Sequence, residues 1–197
     1  QLATVALVAC LGGIVAVALA GHRRGDYATV ANAVGSVAVV VIPLAVDVVS
    51  PALGADVSVG LLLPLWLAVA GLGHSVGMLG PYDSVRWWDT VTHFVSASFV
   101  AALWYAGALV GDVPWPAVTA VLLTFVAGLW WELLELVARE LGEALEIEPV
   151  LVHYGRRDTL VDLAVDVVGA VAVVVLDVRA FVPVVDRLLR PSLCFLD

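Results

Sequence analysis

LATVALVACLGGIVAVALA, residues 2–20, runs for 19 residues without one charged side chain. A helix crosses the hydrocarbon core of a bilayer with about 20 mostly apolar residues, so this stretch reads as a membrane span. Five more stretches read the same way: residues 28–49, 57–79, 88–110, 115–138 and 159–182. The connectors are short apart from residues 139–158, which leaves no room for a separate soluble domain. The expected fold is all-α, a single integral membrane bundle of six transmembrane helices over residues 1–197.

Composition supports that reading. The chain is 62 % hydrophobic and 14 % charged, with mean hydropathy +1.06. Soluble domains carry about 45–50 % apolar and about 25 % charged residues. A soluble globular enzyme, a disordered chain and a disulfide scaffold are excluded. The net charge of -9 repels phosphate backbones, so the expected partner is the lipid bilayer and not nucleic acid. All nine basic residues are Arg, and Val and Ala dominate the apolar positions. That pattern is expected of a chain adapted to high salt, of a halophilic archaeal kind. Cys10 and Cys194 lie far apart without metal-ligand spacing, so neither a disulfide nor a zinc-thiolate site is expected. The chain starts at Gln1 without a charged n-region, so no signal peptide is read; a few residues are expected to precede it.

Six spans put residues 21–27, 80–87 and 139–158 on one side, here side B. Residues 50–56, 111–114 and the C-terminal tail fall on side A, with Gln1. Side B then holds Arg23, Arg24, Arg86, Arg139, Arg156 and Arg157, against Arg179, Arg187 and Arg190 on side A. The positive-inside rule makes side B cytoplasmic, with the cell (plasma) membrane as the expected location. Trp87, Trp88, Trp115, Trp130 and Trp131 sit near span ends and read as an interfacial aromatic belt. Pro64 is expected to kink the third span. Gly12, Ala16 and Ala20 form a small-residue stripe, read as packing within the bundle and not as a dimer face.

The ionisable residues inside the spans are not scattered. His74 falls near the side B end of the third span. Asp89 and His93 open the fourth at i,i+4, on one helix face. Glu132 and Glu135 share a face of the fifth at i,i+3. Asp158, Asp162 and Asp166 form one stripe down the sixth at i,i+4,i+8, and Asn32 of the second span lies at a similar depth. Each lone charge at mid-membrane costs about 2.5–3.5 kcal/mol on insertion scales, so five carboxylates exceed about 10 kcal/mol. Such a cluster requires protons, water, Arg partners or a cation. Arg86, Arg156 and Arg157 can pair with Asp89 and Asp158, but lie too near the surface to neutralise the deeper groups. Carboxylate and His ligands suit iron, manganese or zinc, and helical bundles build metal sites from facing Glu and His residues.

Simpler readings compete. His74 alone reads as a helix–helix hydrogen-bonding residue, and Asp158 as the cap of the sixth helix. Asp47 and Asp177 are expected to pair with Arg179 or to reach water. Glu140, Glu143, Glu146 and Glu148 read as the solvated face of an interfacial helix. No Gly-rich phosphate loop, nucleophile elbow or Cys–His arrangement is present, and no nucleotide cofactor is expected.

Three blocks carry a family resemblance. Residues 74–97, HSVGMLGPYDSVRWWDTVTHFVSA, resemble the YjdF-like inner-membrane proteins, which have a Gly-rich, Tyr-containing loop followed by a Trp-Asp-x-x-x-His helix start. Trp131-Glu-Leu-Leu-Glu135 resembles that family's Glu-x-x-Glu helix. Residues 157–170, RDTLVDLAVDVVGA, resemble its Asp-Thr-x-x-Asp-x-x-x-Asn-x-x-Gly-Ala helix. Asp166 departs from the pattern, since the family tends to have Asn there; the extra negative charge favours a cation or a bound proton. A looser likeness extends to VanZ-like proteins. The resemblance covers about residues 57–175 and implies a fold and a set of positions, not a reaction.

The leading expectation is therefore an intramembrane site holding a divalent metal, with Asp89, His93, Glu132, Glu135 and Asp162 as ligands. His74, Asp166 and Asp158 would stand behind these ligands and orient them, or bind the metal in addition. A lipid-like substrate is expected, because the site would open at the membrane boundary. Two alternatives stay open. One is a structural or accessory subunit of a larger membrane complex, or a homo-oligomer. The other is proton or cation transfer along the carboxylate stripe, against which stands the Val, Gly and Ala stretch between Asp166 and Asp177.

Overall fold

The computed structural model describes residues 1–54, 57–147, 149, 151 and 155–190, and among these it contains helices and turns only. The helices are α1 (Leu2–Arg24), α2 (Tyr27–Ala52), α3 (Leu62–Met78), α4 (Pro81–Ser84), α5 (Trp88–Val110), α6 (Pro116–Leu145), α7 (Arg156–Val175) and α8 (Val182–Leu189). Local chemistry fixes the boundaries. Gly25 takes the left-handed conformation (φ 74°) that ends α1, which costs a glycine nothing. Asp26 then caps α2 by accepting the Thr29 backbone N–H at 2.8 Å.

Among the described residues four helices are long and apolar enough to cross a bilayer: α1, α2, α5 and α6. The six expected spans are thus not all matched. Helix α3 has 17 residues, because residues 57–61 before it are not helical. Asp47 of α2 accepts the backbone N–H groups of Val59 and Gly60, and the Ser50 hydroxyl donates to Val57 O. These bonds hold the segment as a strap instead of a first helical turn. Helix α7 ends at Val175, and Asp177 takes φ 49°, so the chain turns where the sixth span was expected to continue. Residues 156–166 of α7 also carry two Arg and three Asp.

The surface accounts for the bilayer. Large apolar side chains stand exposed along the spans, including Val5, Val8 and Leu19 on α1, Ile42 and Val48 on α2, and Leu122 and Leu133 on α6. Soluble monomers do not expose continuous apolar faces of this kind. Helices satisfy their backbone groups internally and so can carry such faces in hydrocarbon.

Inside, the helices pack as two groups. α1, α2 and α3 pack mutually around Leu7, Val40 and Ala68. α5 packs on α6, α7 and α8, with its most extensive contact on α7. The second core is mostly alanine: Ala101, Ala102, Ala106, Ala120 and Ala170, closed by Val173 and Phe181. Small residues let these helices approach closely. A Cβ on Gly169 of α7 would meet Phe94 O and Ser98 Oγ of α5, each at 3.0 Å. α3 and α5 join the groups, and Trp66, Phe99 and Phe181 pack ring against ring across that seam. At one end Arg24 donates to Leu79 O; at the other Arg187 donates to Ser58 O and Arg190 to Val110 O.

Several local expectations are corrected. Pro64 lies in the first turn of α3, where a missing N–H is tolerated, so it does not kink a span; the prolines inside a helix are Pro43 and Pro51 of α2. Gly12 and Ala16 face outward, and the packed stripe of α1 is Leu7, Ile14, Val17 and Gly21. Glu140 and Glu143 belong to the last turns of α6, which runs on to Leu145, and Glu146 follows it; no separate interfacial helix is needed. Gly155, not Asp158, is the N-cap of α7. Asp47 binds backbone N–H groups, whereas Asp177 does pair with Arg179, at 2.9 Å. Glu148 and Cys194 lie outside the described residues.

Candidate functional site

The i,i+4 spacing on α5 sets Asp89 one turn before His93, and the same spacing on α7 sets Asp162 one turn before Asp166. Because α5 and α7 pack closely at Gly169, these four side chains meet. One ligand atom from each of Asp89, His93 and Asp162 lies within 4.8 Å of the others. His93 is 5 % exposed, Asp162 2 % and Asp166 5 %. Asp166 Oδ1 lies 3.2 Å from His93 Nδ1, and Asp89 Oδ1 lies 4.0 Å from His93 Nε2. One carboxylate therefore fixes the back of the imidazole, and its other nitrogen is turned toward Asp89. The Asp89 and Asp162 carboxyls thus face each other, with one oxygen of each within 4.8 Å of the other.

Helix α6 closes the third side. Glu132 is 6 % exposed, and among the described residues neither of its oxygens has a hydrogen-bond partner. It is close enough to act electrostatically on both Asp89 and Asp162. Buried polar groups are almost always satisfied, so an orphaned carboxylate signals a missing partner or a function. α6 comes this near because residue 128 is glycine: a Cβ there would collide with the Asp166 carboxylate and sit 3.2 Å from Leu163.

The other predicted residues are placed differently. Glu135 is half-buried and accepts the indole N–H of Trp131 at 2.7 Å. His74 of α3 has both ring nitrogens engaged, Nδ1 with Tyr82 OH at 2.6 Å and Nε2 with Ser96 Oγ at 3.2 Å. Asn32 of α2 accepts from Ser75 Oγ. Asp158 sits in the first turn of α7, where a negative charge suits the helix dipole. Arg86, Arg156 and Arg157 are exposed, and Asp89 pairs with His93.

Two cavities flank the cluster. A polar one of about 20 Å³ lies between Asn32, His74, Tyr82, Asp89, Trp131 and Glu135, room for about one water. A larger one of about 560 Å³ extends into the bundle, mostly apolar, with His93 and Asp166 in its wall. Asn32, His74 and Trp131 line both and form the neck between them. The sequence reads Trp131 as part of the belt rather than of the site, yet its indole packs 6.0 Å from the His74 ring. The available signal was its i,i+4 relation to Glu135. Trp88 also turns inward, donating to Gly73 O at 3.1 Å, while Trp87, Trp115 and Trp130 are exposed as a belt requires. Tyr82 appeared in the sequence only as part of a loop.

The model of a family described as predicted membrane protein (DUF2238) matches residues 4–182. No curated protein and no solved structure matches.

Proposed function

Since the chain belongs to the DUF2238 family of predicted membrane proteins, we propose that it binds a divalent metal inside the bundle, at Asp89, His93 and Asp162. Glu132 supplies a further carboxylate. The observation that carries this reading is the orphaned Glu132 beside an imidazole whose rear nitrogen is already held by Asp166. Metal-bound His characteristically gives its other nitrogen to a carboxylate or carbonyl, which fixes the tautomer and orients the ring. The donors are nitrogen and carboxylate oxygen without thiolate, a set that suits iron, manganese or zinc. A cation also removes the energetic objection to several buried carboxylates. Glu135 is one turn nearer the surface and serves through Trp131 at the neck.

The finer identity follows the same residues. The order and spacing of the three blocks support a YjdF-like protein, and the Arg distribution supports a plasma-membrane location with residues 80–87 and 139–158 cytoplasmic. A lipid-like substrate fits a site flanked by an apolar cavity at membrane depth. Ion transfer ranks lower, because buried Gly169, Ala170 and Val173 seal α7 between Asp166 and Asp177.

Elemental analysis of the protein purified in mild detergent tests the proposal. About one iron, manganese or zinc per chain is expected, lost in Glu132→Ala and His93→Ala. Less than about a tenth of an ion per chain after incubation with each metal, unchanged by either substitution, overturns it.

A further inference from the structure

α2 and α6 are both membrane spans and both line the larger cavity, and yet no Cα of one lies within 8 Å of a Cα of the other. The cavity occupies the gap between them. Its α2 wall is Gly35, Ser36 and Val39, and its α6 wall is Thr124, Ala127 and Gly128. Gly35 faces open space: a Cβ there would meet nothing within 4 Å. The few polar atoms on these walls are already committed, Thr124 Oγ1 to Ala120 O at 2.8 Å and Ser36 Oγ to Gly71 O at 3.4 Å. On either side of the gap the surface is exposed and apolar, with Val34, Val41 and Ile42 on α2 and Phe125, Val126 and Leu129 on α6.

A gap between two spans at this depth meets hydrocarbon and not water. A volume of about 560 Å³ falls within the range of about 300–1,000 Å³ that ligand sites take. The ionisable groups of its lining are His74, His93 and Asp166, beside the acidic cluster. We infer that this cavity holds one hydrocarbon chain of a membrane lipid, which enters sideways between α2 and α6. The lipid's polar end then lies at the neck of His74 and Trp131, beside the acidic cluster. The chain pocket stands on the geometry alone; only its partnership with a metal rests on the proposal above.

The test uses the full chain in palmitoyl-oleoyl phosphatidylcholine vesicles doped with a phosphatidylcholine carrying a diazirine on one acyl chain. After irradiation, peptide mapping should find label on inward positions such as Gly35, Val39 and Ala127, as well as on outward Val34 and Leu129. In Gly35→Trp, whose indole fills the gap, inward labelling should fall about tenfold, with outward labelling unchanged. Ala127→Leu narrows the opposite wall and should act in the same direction if Gly35→Trp does not fold. Gly35→Ala should label as the parent does. Inward labelling that is absent in the parent, or unchanged in both blocking variants, overturns the inference. So does efficient oxidation of Gly35→Cys chains into dimers, which would assign the gap to a second copy. Metal content is measured on the same samples. Metal retained in Gly35→Trp while inward label is lost separates the two proposals, and label without metal in the parent leaves the chain pocket standing alone.

Discussion

The two helix groups are held together by different means. In α1–α3 the nearest approaches are to side chains: a Cβ on Gly13 would meet the tip of Leu72, and one on Gly21 the Thr29 methyl, each at 2.9 Å. The buried polar groups there are hydroxyls with partners, such as Thr29 with Asp26 and Ser75 with Asn32. In α5–α7 the close approach is to backbone, at Phe94 O, and the buried groups are Asp162, Asp166, His93 and Glu132. The first group shows that this chain can pack three apolar helices without a buried charge on their shared core. The charges of the second group are therefore not what a bundle of this kind requires, and their cost of several kcal/mol per ion points to a use.

His93→Ala is expected to have the largest effect. It deletes the ring between Asp166 and Asp89 and leaves buried carboxylates facing one another, a loss of about 3–5 kcal/mol together with the metal. Thermal unfolding in detergent and elemental analysis read both. The counterpart in the first group, Ser75→Ala, removes two long 3.4 Å contacts and should cost about 1 kcal/mol or less. If the two substitutions cost the same, the contrast between the groups fails.

A glycine pair sharpens it further. Gly169→Ala drives a methyl against a carbonyl that cannot move without its helix, and should destabilise by about 1–3 kcal/mol. Gly13→Ala presses on the tip of Leu72, 2.9 Å away, which can change rotamer, while alanine gains up to about 1 kcal/mol of helix propensity; its net effect should be near zero. Unfolding midpoints of the two variants decide this, and a larger loss at Gly13 would break the argument.

Asp166 separates positioning from packing. Asp166→Ala should weaken metal binding about 10–100-fold, because His93 loses the group that orients it. Asp166→Asn keeps an oxygen to accept from Nδ1 and should restore most of that affinity. Titration of the apo-protein with zinc would show the difference. Equal weakening in both variants would assign Asp166 to charge, not to orientation.

These contrasts were only partly legible in the sequence. The all-helical membrane class was plain from 19 uncharged residues in a row, and the spacing placed Asp89 with His93 and Asp162 with Asp166 on shared faces. The span ends were not legible. Val57 to Leu61 look apolar enough for a helix, but Asp47 draws Val59 and Gly60 into a strap, a bond between residues 12 and 13 positions apart that no local pattern announces. Trp131 was misassigned because its composition and place near a span end fit a belt, while its inward direction depends on where α3 lies. The gap between α2 and α6 was invisible for the same reason: hydropathy says that a helix meets apolar surroundings, not whether these are another helix or lipid.

The smallest expected effect lies at the far end of α5–α7 and tests whether surface charge there matters at all. Asp177 accepts from Arg179 at 2.9 Å and from Tyr105 OH at 2.7 Å. The Arg179 guanidinium, and after it the Tyr105 hydroxyl, hold the Asp177 carboxyl below its ordinary value. A carboxyl lowered in the folded state stabilises the fold above its unfolded value, and that contribution is lost as pH falls through the folded value. Arg179→Ala should therefore lower the unfolding midpoint slightly at neutral pH, and the difference from the parent should close on acidification below the usual carboxylate range. Both groups are exposed, so added salt should shrink the same difference. A deficit in Arg179→Ala that persists unchanged at low pH and in high salt would mean that the guanidinium acts through packing, and that the two ends of this helix group are not divided into a buried cluster that binds and a surface pair that merely adds charge.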